Sequence, residues 1–142
     1  MTAKEYLMQL WRLDRTIDIK RRELAKLEEE IGIPAMPDNQ DRVIGSGYPQ
    51  DPVADSTIQR IQMAEHLQRL LRIYTNLKAT ISDQIEGVEN ETYRNILICR
   101  YILMMTWEDV ARTMKYTDRQ CYRIHGRALQ EFDKLYRQKR CQ

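Results

Sequence analysis

The sequence predicts an all-α chain, a long antiparallel, coiled-coil-like helical hairpin followed by a C-terminal helix-turn-helix. Three observations predict it. Two long stretches carry narrow apolar stripes, a stretch holding all four prolines lies between them, and the last third breaks into short helices with hydroxyl caps. The expected organisation is residues 1-89 as the hairpin, with a Pro/Gly-rich connector at 32-56, and residues 90-142 as the helix-turn-helix.

The first helix is expected over residues 2–31. Tyr6, Leu10, Leu13, Ile17, Leu24, Leu27 and Ile31 follow alternating four- and three-residue steps, interrupted at Lys20. Such steps give the narrow seam of a coiled coil. Gly32, then Pro34 and Pro37, end the helix, since glycine closes helices and proline cannot continue them. In the connector neither helical nor strand period survives. Val43, Ile44 and Tyr48 could pin it to the helices. Gly45-Ser46-Gly47 looks like a scrap of phosphate loop, yet the following Lys-Ser/Thr and a preceding strand are missing, so a turn is expected. The second helix is expected to start at Asp55 or Ser56, both good caps. Its stripe is Met63, Leu67, Leu70, Tyr74, Leu77, Ile81 and Val88, with polar Gln84 at one step. The two stripes would pair within one chain as an antiparallel hairpin or equally well between copies. Gly87 and the polar residues through Asn90 mark a break near residue 89.

Three helices are expected in the last third. The first carries Ile96, Leu97, Arg100, Tyr101 and Leu103 and ends around Met104-Met105. Thr106, with Asp109 three residues on, has the form of a capping box and opens a two-turn helix, Trp107–Met114, that would bury Trp107, Val110, Ala111 and Met114. Lys115-Tyr116 make a short turn. Thr117, with Gln120 as box partner, opens a third helix over about 118-137. At 100° per residue, Cys121, Ile124, Ala128, Phe132 and Leu135 gather on one side, and Arg119, Arg123, Gly126 and Gln130 on the other.

That is the layout of a DNA recognition helix, with an apolar back and long hydrogen-bonding side chains towards a major groove. Arginine grips guanine at two atoms and glutamine grips adenine, so Arg119, Gln120 and Arg123 are the base-reading candidates. Lys115, Tyr122 and Arg127 are the phosphate candidates, and Gly126 would let the helix approach closely. His125 lies beside the apolar side and reads as a packing residue. Pattern alone leaves a second possibility open, a basic solvated face on a helix-turn-helix that never touches DNA.

Charge points the same way. From Arg112 onwards nine basic residues face three acidic ones, a surplus of six, so within a net +2 the other 111 residues carry −4. A polyanion would be drawn to one end of the chain. With 42% hydrophobic and 31% charged residues the chain can build a core, and no run approaches the roughly 20 apolar residues of a membrane span. The opening residues lack the apolar run of a signal peptide, so a cytoplasmic protein is expected. Cys99, Cys121 and Cys141 are odd in number and lack metal-ligand spacing, and only His66 and His125 could join them. No metal and no cofactor are expected, and the cysteines read as free thiols. Carboxylate pairs, Ser/Cys–His arrangements and phosphate loops all lack supporting context, so an enzyme is not expected.

Residues 98–129 resemble two related groups. One is the promoter-binding region 4 of bacterial sigma factors, carried by Arg100-Tyr101, Trp107-Glu108-Asp109-Val110-Ala111 and Arg127-Ala128-Leu129. The closer one is the small phage and prophage late-gene transcriptional regulators of the ArpU and RinA type, in which a segment like 116–129 is the recognition helix. Met104-Met105 stands where the related sequences commonly place a glycine turn, and Cys121 where valine is usual. The resemblance implies a sequence-specific DNA-binding transcriptional regulator, phage or prophage encoded, acting on promoter DNA in a bacterial host. Its long helices would serve for homo-oligomerisation or for contact with RNA polymerase. The competing expectations are a phage DNA-packaging protein of the small-terminase type and a sigma-like module that binds protein instead of DNA.

Overall fold

The computed structural model describes residues 1–32 and 52–140, the side chains of 52, 53 and 138–140 excepted. Val43, Ile44, Tyr48, the Gly45-Ser46-Gly47 step and Cys141 lie outside the described residues. Those described form α1 (Ala3–Ile31), α2 (Pro52–Glu86), α3 (Glu91–Leu97), a π-helical turn (Ile98–Ile102), α4 (Trp107–Met114) and α5 (Asp118–Arg140), with no strand among them.

The sequence spells most of these boundaries. Thr2 Oγ1 accepts from Glu5 N at 3.1 Å while the Glu5 carboxylate accepts from Thr2 N at 2.7 Å. This is a reciprocal capping box in a Thr-x-x-Glu that the stripe-led reading passed over. The bonds to Thr2 hold the Glu5 carboxyl below its ordinary range. One expectation needs correcting. Helix α2 begins at Pro52, ahead of Asp55 and Ser56, so the end of the 32-56 connector is helical. Proline fits there because the first turn leaves its N–H groups unbonded anyway. Asn90 caps α3, its side chain accepting from Tyr93 N at 3.1 Å.

The described chain groups into two compact units, residues 1–14 with 73–142, and residues 15–72. The first unit draws the opening of α1 and the close of α2 in with the short helices, so its membership crosses the break at residue 89. Its core holds Leu7, Leu10, Ile81, Ile85, Val88, Ile96, Leu97, Tyr101, Val110, Cys121 and Phe132. Ala3, Leu7 and Ile85 were missed by the four-three stripes. A helix end surrounded by several neighbours buries a wide face, whereas a stripe of that period describes contact with a single partner. The polar step at Gln84 has a use, because its Oε1 accepts from the Tyr6 hydroxyl at 2.8 Å. Tyr6 also stacks on Tyr136, with ring centroids 4.7 Å apart. Among the described residues of the second unit, only Ile17 and Leu67 are buried, and Leu24, Leu27, Met63 and Leu70 are half-buried.

Helix α3 widens into the π turn before the chain leaves it. Leu103 N reaches back five residues to Ile98 O, and Met105 N reaches Cys99 O. The last residues expected in this helix, Met104 and Met105, therefore lie beyond it. Met104 takes the left-handed conformation (φ 54°), which costs a methionine about 1 kcal/mol.

Candidate nucleic-acid interface

Helices α4 and α5 are joined by only three residues. Thr106 Oγ1 accepts from Asp109 N at 3.2 Å, which caps α4 as expected. The box is not reciprocal, since the Asp109 carboxylate turns to Arg112 instead (3.5 Å). At the other end Lys115 adopts φ 60°, and Ala111 O accepts from Tyr116 N at 3.0 Å, a Schellman-type closure. Thr117 then caps α5 reciprocally. Its Oγ1 accepts from Gln120 N (3.2 Å), and Gln120 Oε1 accepts from Thr117 N (2.9 Å). The direction of α5 relative to α4 is thus fixed by two caps and one left-handed residue.

On α5, Cys121, His125, Ala128 and Phe132 are buried, while Ile124 and Leu135 are half-buried. Arg119, Arg123, Gly126, Arg127 and Gln130 are exposed, as are Lys115 and Tyr122. A Cβ added at Gly126 would meet nothing within 4 Å. Further along, the cations are held by their own helix, Lys134 by Glu131 (3.3 Å) and Arg137 by Asp133 (2.9 Å). No such carboxylate partner serves Lys115, Arg119, Arg123 or Arg127 among the described residues. Gln120 stands apart from the other candidates, because its carbonyl is engaged in the cap and only its amide nitrogen is left to offer outward.

Behind this face lies a ladder of rings and one cation that the sequence reading did not anticipate. The Arg100 guanidinium sits 4.5 Å from the Trp11 ring centroid and 4.7 Å from that of Trp107. Beyond Trp107 comes the Tyr122 ring at 5.0 Å. The π turn explains why Arg100 is usable here. Where the helix ends, Arg100 O accepts from the Trp11 indole (3.0 Å), and Arg100 donates to Met105 O (2.8 Å). Trp107 is consequently half-buried between Arg100, Tyr122 and His125 rather than enclosed in the core as expected. Residue 11 is far in sequence from 100, 107 and 122, and no local pattern joins the four.

His125 is 7% exposed and 2.7 Å from the Tyr101 hydroxyl. Burial pushes Tyr101 up to about 12, so the phenol keeps its proton and donates it to His125 Nε2. Burial, then the charges of Lys4 and Arg100, push His125 down to about 4. The imidazole is neutral at neutral pH, a packing residue as the sequence reading had it. Cys99 and Cys121 are free and buried, and burial raises both thiols. Among the described residues no cluster of three or more His, Cys, Asp or Glu could hold a metal, and no helix is long and apolar enough to cross a membrane.

Residues 36–133 match the family described as "Protein of unknown function (DUF1492)". That is more than half of the chain, and the protein belongs to this family. No curated protein and no solved structure matches it.

Proposed function

We propose that α4 and α5 form a helix-turn-helix and that the protein is a sequence-specific DNA-binding transcriptional regulator of the phage or prophage type that its sequence resembles. The observation that carries this is the row of exposed cations on the first half of α5, Arg119, Arg123 and Arg127, unpaired among the described residues and opposite a buried back. A polyanionic partner would satisfy all three. Arg119 and Arg123 read bases, each able to hold a guanine edge by two hydrogen bonds. Gln120 contributes only if it leaves its cap, because a grip on adenine needs both amide atoms. Lys115, Arg127 and the Tyr122 hydroxyl hold phosphates, and the ladder behind Tyr122 keeps that ring in place before DNA arrives. An antiparallel course for α1 and α2 belongs to the same reading. It is supported in one unit by the Tyr6–Gln84 bond and in the other by Leu27 and Met63 lining one groove.

Selection of bound sequences from a random duplex library tests the function, using wild-type protein and the Arg119→Ala/Arg123→Ala double variant. A defined motif that vanishes in the variant is expected. No enrichment, or a motif indifferent to the two arginines, would overturn the assignment and leave a protein-binding role.

A further inference from the structure

The exposed side of α5 has a centre and two flanks. At 100° per residue Arg119, Arg123, Gly126 and Gln130 share the centre, and Arg127 and Tyr122 stand about 70° to either side of it. A helix lying in a major groove has one phosphate strand along each flank. The Arg127 flank carries a cation. Between residues 118 and 137 the Tyr122 flank carries none, for Asp118, Leu129 and Asp133 continue it. Asp133 is paired with Arg137 at 2.9 Å, and Asp118 lies about three helical turns before Leu129.

The charge that this flank lacks stands on α1. Lys4 lines a groove together with Leu129, Gln130, Asp133 and Arg137 of α5. His125, one turn before Leu129, is held neutral in part by the Lys4 charge. Lys4 is exposed, and no carboxylate partners it among the described residues. The acids beside it in sequence and in the groove are engaged elsewhere, Glu5 with Thr2 N at 2.7 Å and Asp133 with Arg137. A cation in the first turn of a helix opposes the helix dipole, so Lys4 works against α1 taken alone. A phosphate beside it reverses that balance.

We propose that Lys4 holds a DNA phosphate on the strand along the Tyr122 flank, opposite the strand held by Arg127, so that the opening of α1 belongs to the DNA-binding surface. This contact rests on the proposed reading of α5 as a recognition helix and supplies its second side. Tertiary packing alone brings residue 4 to residue 129, and no pattern in the sequence links them.

Fluorescence anisotropy of the full chain with a library-selected duplex and a random one tests it, comparing wild type, Lys4→Gln and Lys4→Arg. Lys4→Gln should bind both duplexes roughly fivefold more weakly at about 0.15 M salt and flatten the salt dependence by about one contact. Lys4→Arg should bind as wild type does. Single methylphosphonates, each removing the charge of one phosphate, locate the strand. One neutralised phosphate that weakens wild type should cease to matter for Lys4→Gln. It should lie on the strand opposite the one where Arg127→Ala loses its contact. Thermal melts followed by circular dichroism should show Lys4→Gln at least as stable as wild type, since the change suits the dipole. Unchanged affinity in Lys4→Gln, a loss confined to the selected duplex, a loss that comes with a lower melting temperature, or both contacts on one strand would overturn the Lys4 contact and leave the reading of α5 standing. A wild type that binds neither duplex would overturn that reading itself, and the Lys4 contact with it.

Discussion

His125 sits where α5 meets Tyr101 and Trp107, and its neutrality is a condition of that packing. In the unfolded chain the imidazole titrates near its ordinary 6.5, and in the fold it is held down to about 4. Between those values the unfolded chain binds a proton that the folded one refuses. Stability therefore falls as the pH drops through this window, by about 3 kcal/mol once both states are protonated. Urea midpoints at pH 7.5 and 4.5 should show the loss. A His125→Gln variant, which keeps an acceptor for Tyr101, should start less stable and lose less on acidification. Parallel losses in the two proteins would mean that other groups carry the acid sensitivity. Arg100 illustrates the opposite case, a cation that burial disfavours yet that keeps its charge between two indole faces.

At the scale of the element, α5 carries a glycine where helical stability would prefer another residue. Gly126 is exposed, and a Cβ there meets nothing. Gly126→Ala should raise stability by about 0.5–1 kcal/mol, since alanine is the better helix former. The same methyl would stand between the helix and a bound duplex, so affinity for the selected DNA should fall. A variant that melts later and binds DNA as tightly as wild type would remove Gly126 from the contact surface. The limits of α4 and α5 were legible because caps are local. Thr106, Thr117 and their partners lie within three residues of one another. The Thr2–Glu5 box was equally legible, but a reading led by apolar periodicity looked past it. What could not be read was anything that tertiary packing decides. Leu7 and Ile85 are buried because other helices surround them, and Arg100 lies between Trp11 and Trp107 because a π turn rotates it there. Pro52 in the first turn of α2 is illegible in the sequence for a related reason. Composition marks prolines as connector, and only the helix itself shows that one occupies a first turn.

For the whole molecule, the basic surplus from Arg112 onwards makes one end of the chain the side that a polyanion would approach. Lys115, Arg119, Arg123 and Arg127 are the cations that the proposed DNA contact would use, and each phosphate they neutralise would release counterions from the duplex. Affinity should therefore fall steeply as salt rises. Arg127→Ala should weaken selected and random duplexes alike and flatten that salt dependence by about one contact. Arg123→Ala should instead cost roughly 1–3 kcal/mol on the selected motif and little on random DNA. Fluorescence anisotropy with both duplexes over a salt series separates the two. Equal losses for both variants on both duplexes would remove the division between base reading and phosphate holding.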